Sequence, residues 1–474
     1  MSAFKSCFFL GVHMNLSFFK DKEFIRRMLS LAIPVAFQQF ITAAINMIDV
    51  LMVGQLGEAS IAALGLANQI FFIYILFLFG ITSGTAIFSA QYWGKNDEEN
   101  IRKVLGISLS IAIIAGTFFT LIATLIPETL LRFYTEDKEV IALASGYLRI
   151  VGLSYLFTAI VTSYHAIYRS ITMVKLTVSI SVTALITKSI LGYLLIFGIA
   201  GFPALGVRGA AIATAFGWIL QFILIVTLTY TLKTPLAANP LTFFNFERAF
   251  LFKVLKTATP AAVNEIFWAV GITVYNAVYA RIGTGAIAAV QINATIEEAS
   301  FVLFIGLANA CAIMIGNEIG AGDQDKAFEY SHRFLIIVIF IAIVSGIMVL
   351  LVREPIIGLY NISDDVAENA YKLMTVFAFT AWLRSINFIL FIGALRAGGD
   401  TKFAMFMEIF SIWTIGVPAA LIAGFVLHLP VYGVYMMVLS EELVKAIIMY
   451  RRYLSRKWIH DLATVTGSPA GVTA

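Results

Sequence analysis

Along this chain the apolar residues gather into long runs, and charge, glycine and proline collect in the short stretches between them. A helix that crosses a bilayer needs roughly 20 mostly apolar residues. Twelve stretches qualify: about 28–53, 61–90, 104–126, 141–166, 176–199, 207–232, 252–280, 287–316, 334–352, 367–394, 403–426 and 431–450. Several exceed the minimum, which predicts tilted or kinked helices. Pro34 and Pro260 fall inside the first and seventh. Proline is tolerated there because neighbouring helices re-satisfy the freed backbone groups.

Composition sharpens the picture. Of 474 residues, 60% are hydrophobic and 13% charged, about half the ~25% charged of soluble domains. Mean hydropathy is +0.91. A soluble globule cannot hide that much apolar surface. Disorder, a collagen-like fibre, a disulfide-stapled secreted module and a basic nucleic-acid binder are all excluded. What remains is an all-α polytopic membrane protein, whose partner is the lipid bilayer. The net charge of +4 calls for no polyanion, and Cys7 and Cys311 give neither a disulfide framework nor a metal site.

Twelve spans put both termini on one side. The connections on that side carry 22 Lys and Arg, and the opposite ones carry 5. The positive-inside rule then places both termini in the cytoplasm. The run 8–12 after Lys5 is too short for a signal peptide and no small-residue cleavage site follows. Met14 is an alternative start.

Slid against itself by 226 residues, the sequence matches from 34 to 99 without a gap. Pro34 falls on Pro260, Gly57 on Gly283, Gly80 on Gly306, Gly94 on Gly320 and Asp97 on Asp323. At an offset of 227, Arg169 and Lys175 meet Arg396 and Lys402. The shift carries span 1 onto span 7, so both copies share one orientation. Parallel halves about an axis along the membrane normal are a known transporter plan. The expected organisation is an N-terminal segment 1–27, a six-helix lobe 28–232, a linker 233–251, a second six-helix lobe 252–450 and a tail 451–474.

Three runs are more specific: Ile48-Asp49-Val50-Leu51-Met52-Val53-Gly54, Thr259-Pro260-Ala261-Ala262-Val263-Asn264-Glu265 and Leu395-Arg396-Ala397-Gly398-Gly399-Asp400-Thr401-Lys402. Through them the chain, from about 25 to 450, resembles the multidrug and toxic compound extrusion (MATE) family of cation-coupled antiporters. The resemblance implies two six-helix lobes facing a central cleft, and export of organic, often cationic compounds against sodium or proton influx. It also implies that Asp49 is an ion-coupling carboxylate, with Thr214 a hydroxyl ligand on span 6. Where the family usually offers an amide and often a carboxylate on span 5, this chain has Lys188 and Gly192. Glu265 matches the second-lobe carboxylate. The tenth-span aspartate of some relatives aligns to Ser385, beside Arg384.

Ionisable groups inside a span are costly and so are candidates for function. On span 1, Gln38, Thr42 and Asp49 fall near one line, with Asn46 about 60° away. That polar stripe faces a cavity or a partner helix. Asp49 can hold sodium, which favours oxygen ligands, or a proton. The ammonium of Lys188 could occupy the ion's place and pair with Asp49. Around Glu265, the residues Asn264, Trp268, Asn276 and Tyr279 share or adjoin one face. Glu297 and Glu298 are adjacent in span 8, Gln291 and Thr295 share the face of Glu298, and Arg384 is a possible counter-ion. Glu408, Glu441 and Glu442 are weaker candidates, the last two near Lys445. Trp268, Tyr275, Tyr279 and Met47 are aromatic and flexible candidates for a drug-binding lining. Arg169, Lys175, Arg396 and Lys402 sit at helix ends and are expected to support the fold, with Asp400 or Thr401 as a helix N-cap.

No phosphate-binding Gly-rich loop and no hydrolase or metalloprotease motif occurs, and the five histidines form no ligand pair. The chain is therefore expected to be a monomeric transporter and not an enzyme. It would have no cofactor beyond a proton or sodium gradient, would bind small organic cations or drugs, and would bind no nucleic acid. A lipid-linked oligosaccharide flippase of the same wider superfamily is the alternative. It would need a strongly basic cavity, and only Lys188 and Arg384 supply deep cations near the expected cleft.

Overall fold

The computed structural model describes residues 21–360 and 362–464. The run 8–12, Cys7 and Met14 lie outside the described residues. Twelve helical spans follow in order: α1 (Lys22–Gly54), α2 (Glu58–Gly94), α3 (Glu98–Leu125), α4 (Lys138–Gly152 with Tyr155–Ser170), α5 (Val174–Phe197), α6 (Val207–Thr231), α7 (Arg248–Ile282), α8 (Thr284–Gly320), α9 (Gln324–Ile357), α10 (Asp364–Arg396), α11 (Thr401–Val426) and α12 (Val431–Val438 with Ser440–Leu454).

Two of the spans read as continuous in the sequence are broken. The halves of α4 meet at 53°. Among the described residues, ten helices are long and apolar enough to cross a membrane, or eleven with α4 counted as one. The exception is α12, where Glu441, Glu442 and Lys445 interrupt the apolar run.

The repeated residues have repeated jobs. Asp97 caps α3 by accepting from the Asn100 N–H at 3.1 Å, and Asp323 caps α9 through the Lys326 N–H at 2.9 Å. Such caps satisfy donors that a helix start leaves orphaned. Gly57 and Gly283 take equivalent places before α2 and α8. Gly94 and Gly320 mark the crossing of those two helices. A Cβ on Gly94 would stand 2.0 Å from the Asn317 carbonyl oxygen, and one on Gly320 would stand 1.9 Å from that of Gln91. Gln91 and Asn317 are themselves 226 apart. The contact is thus made twice, once from each half.

The apolar core shows where the lobes join. One buried cluster belongs to the first lobe alone, with Tyr74, Leu148 and Tyr155, and another to the second alone, with Phe377, Ile412 and Val434. Both lie in the halves of the helices remote from the termini. On the terminal side, a third cluster joins Phe24, Val35 and Val174 of the first lobe to Phe304, Phe334 and Ile389 of the second. Gly80 against Ala262, Gly84 against Ala258 and Gly306 against Ala32 add close inter-lobe contacts on that side. Remote from it, Met47, Phe72, Phe267 and Trp268 are exposed. The lobes are closed together at the terminal end and part toward the other.

Candidate functional site

In the first lobe, α1 and α5 pack side by side and bring two opposite charges together. Lys188 Nζ donates to Asp49 Oδ2 at 2.6 Å. The side chains retain 16% and 21% of their exposure, so neither is fully buried. The lysine stem lies on α6, where a Cβ on Gly217 would stand 3.1 Å from Lys188 Cβ. Tyr147 on α4 donates from its hydroxyl to Thr214 Oγ1 at 3.5 Å. The tyrosine was not singled out from sequence. The stripe on α1 is split by packing. Gln38 is buried with its Oε1 unpartnered, Thr42 donates to the Gln38 carbonyl oxygen at 2.9 Å, and Asn46 is exposed.

The second lobe holds a longer chain of charges. Glu297 on α8 accepts from Arg384 on α10 and from the Tyr435 hydroxyl on α12. Asn293 donates to the same carboxylate at 2.5 Å. Lys445 pairs with Glu408 at 3.2 Å and with Glu442 at 3.4 Å, and Asn387 donates to Glu442 at 2.6 Å. Glu441 is held differently, accepting from the Tyr275 hydroxyl at 2.6 Å. A Cβ on Gly416 would stand 1.9 Å from the Tyr275 hydroxyl oxygen, so α11 leaves room for this bond only with glycine there.

Arg396, the last residue of α10, turns its guanidinium inward and pairs with Glu265 Oε1 at 2.9 Å, a partner the sequence did not suggest. Its side chain is 3% exposed and lies between the rings of Phe79 and Phe391. The last eight residues of α10, Ile389–Arg396, wind as π-helix. This widened winding shifts side-chain register and is frequent at functional sites. The reading of Gly398-Gly399-Asp400 as a turn does hold, with Gly399 at φ +90° and Asp400 before α11.

The expected lining residues divide by burial. Trp268, Glu298, Gln291 and Thr295 are exposed on α7 and α8, and Asn276 is half-buried. Asn264, Tyr275 and Tyr279 are buried inside the second lobe, and Asn264 Oδ1 has no partner. Tyr275 is drawn inward by its bond to Glu441. Arg396 and Lys445 join Lys188 and Arg384, and each of these four is paired with a carboxylate, whereas the buried Nε of Arg169 has no hydrogen-bond partner.

The MatE family pattern matches twice, over residues 34–194 and 260–422. The two matches begin at Pro34 and Pro260, the prolines the internal repeat superposes. An uncharacterized transporter, YisQ of Bacillus subtilis, is 28% identical over 93% of this chain and 96% of its own. A probable multidrug resistance protein, NorM of Thermotoga maritima, is 22% identical over 94% of this chain and 97% of its own. Among solved structures, an outward-facing multidrug resistance MATE transporter superposes with a TM-score of 0.82 at 20% identity, covering 91% of this chain and 96% of that one. Matched in both of its halves and similar to these transporters over nearly its whole length, the chain belongs to the MatE family, whose members are membrane transporters and not enzymes.

Proposed function

We propose that this protein is a secondary antiporter that exports organic, often cationic compounds as protons enter, with both termini in the cytoplasm. The Asp49–Lys188 pair is the observation that carries the reading. An ammonium already fills the place beside Asp49 that a sodium ion would take, and a proton needs no such space. Protonating Asp49 removes the charge that holds Lys188, so the lobe can rearrange. Binding of one proton is thereby linked to a change in shape, which is what coupling requires. The relatives' names support drug export, and the excess of Lys and Arg on the terminal side supports the orientation.

The flippase reading is weaker. Its lipid-linked, phosphorylated cargo needs unpaired cations in the cleft, and Lys188, Arg384, Arg396 and Lys445 are each paired with a carboxylate. Efflux of a cationic dye from vesicles, with proton and sodium gradients imposed separately, tests the proposal. Drive by the proton gradient supports it, and drive by sodium alone rejects it.

A further inference from the structure

After α12 the chain does not leave the molecule. Trp458 is fully buried, stacks on Tyr453 and donates its indole N–H to the Tyr453 carbonyl oxygen at 3.0 Å. It covers Gly398, where a Cβ would stand 2.3 Å from the indole ring. Ile459 forms an antiparallel bridge with Gly399, and the His460 N–H donates to the Gly398 carbonyl oxygen at 2.9 Å. These contacts all belong to the second lobe.

The next residues then cross to the first lobe. Gln91 of α2 grips the strand with both ends of its amide. Its Nε2 donates to the His460 carbonyl oxygen at 3.0 Å, and its Oε1 accepts from the Leu462 N–H at 2.7 Å. Lys95 pairs with Asp461 at 3.0 Å. Ala463 is buried in the apolar cluster that holds Phe88, Tyr92 and Ile101. Lys253, at the start of α7 and so of the second lobe, donates to the Thr464 carbonyl oxygen at 2.9 Å, which brings the end of the strap back to that lobe. Gln91 is also the residue whose carbonyl meets Gly320 at the seam between the lobes.

The connection that follows the first lobe does not do this. There Pro235 accepts from Arg102 at 2.8 Å, and Phe243 packs on Gly106, both within the first lobe. The pseudo-twofold symmetry is broken at the tail.

We propose that residues 458–464 form a releasable strap that holds the lobes together at the terminal end. The two attachments are unequal. A buried tryptophan fixes the strap to the second lobe. On the first lobe it is held by the two hydrogen bonds of one amide, one partly exposed ion pair, and the apolar contacts of Leu462 and Ala463. Exposed ion pairs and single hydrogen bonds are individually weak. The strap therefore lets go of α2 when the lobes separate at that end, and it stays on the second lobe. It biases the resting protein toward the state described here. The proposal does not depend on which ion drives transport.

The test uses the full chain in lipid nanodiscs, with Cys7→Ser and Cys311→Ala. Spin labels are placed on Glu99→Cys of α3 and Gln324→Cys of α9, both exposed at the terminal end. Pulsed electron resonance reads the distance between the lobes. In one variant the chain ends at Trp458, which keeps the tryptophan anchor and every residue of the seam. In another, Lys95→Ala removes the ion pair alone. The truncation is expected to raise the population of the longer distance roughly tenfold, the response to losing several weak contacts at once. Lys95→Ala should give a smaller rise, and Lys95→Asp with Asp461→Lys should reverse it. The proposal is overturned if the truncated chain keeps the distance distribution of the intact one. It is overturned equally if Gln91→Ala widens the distribution and the truncation does not, because the seam and not the strap would then hold the lobes.

Discussion

Asp49 and Lys188 show how one substitution redirects chemistry. A carboxylate with an amide beside it invites a cation, and a carboxylate with an ammonium beside it is already neutralised. Removing one member of a buried pair leaves an uncompensated charge, at a cost of about 3–5 kcal/mol. This pair keeps a fifth of the aspartate's exposure, so the cost is smaller here. Asp49→Asn keeps the shape and loses the titratable charge. It should insert normally and abolish coupled efflux, which dye release from vesicles would measure. Wild-type efflux from that variant would remove Asp49 from the mechanism. Lys188→Asn should restore a family-like amide and give efflux that rises with sodium at fixed pH, unlike the parent.

The Glu265–Arg396 pair is more deeply buried, and there the full range applies. Glu265→Gln should lower stability by about 3–5 kcal/mol, because Arg396 stays behind unpaired, and reduce efflux. Adding Arg396→Gln should recover much of the lost stability. If thermal unfolding shows the two effects simply adding, the pair is not energetically coupled.

At the scale of elements, the helices were legible because span length and charge content carry the signal. The repeat was legible because its matches are spread along the chain. The breaks were not. The break in α4 follows Gly152 and includes Ser154, residue types common inside these spans, and Leu439 of α12 differs little from its neighbours. Nor could a sequence show that Arg396, at the end of the π-helical stretch of α10, pairs with Glu265. The pairs within reach of each other in sequence, such as Glu442 with Lys445, could be anticipated. Across helices, the charge pairs Asp49 with Lys188 and Glu297 with Arg384 could be anticipated too, whereas hydroxyl partners such as Tyr147 with Thr214 or Tyr275 with Glu441 could not, because a lone tyrosine in an apolar run carries no mark of its neighbour.

The crossing of α2 and α8 yields a prediction at this same scale. Gly94 and Gly320 permit backbone contact at about the distance where any Cβ would clash. Gly320→Val should push the lobes apart at the terminal end without unfolding either, since the lobe-specific clusters remain intact. Labels on α3 and α9 should then report a longer distance. An unchanged distance with unchanged unfolding would mean the helices slide to accommodate the side chain.

For the whole molecule, the closed terminal end and the parted opposite end describe one of the two states that alternating access requires. Inter-lobe contacts on the terminal side must break to reach the other state, and the glycine crossing and the mixed apolar cluster are what breaks. Arg27 on α1 pairs with Glu318 on α8 at 2.9 Å across the same seam. Arg27→Ala should favour opening there only slightly, by less than about 1 kcal/mol, as for other partly exposed pairs. The Asp49–Lys188 pair lies within the first lobe, whereas Arg396, paired with Glu265 in the second lobe, also lies over the ring of Phe79 on α2 of the first. On the proposed reading, protonating Asp49 would change the shape of the first lobe and so alter how the two lobes meet.

The central claim is that Lys188 makes the first lobe proton-coupled. Its most direct measurement is dye efflux from vesicles against sodium concentration at fixed pH, for the parent chain, Asp49→Asn and Lys188→Ala. The account predicts proton-driven efflux in the parent with no response to sodium, no coupled efflux from Asp49→Asn, and impaired efflux from Lys188→Ala. Strong sodium stimulation of the parent, lost in Asp49→Asn and unchanged in Lys188→Ala, would contradict it.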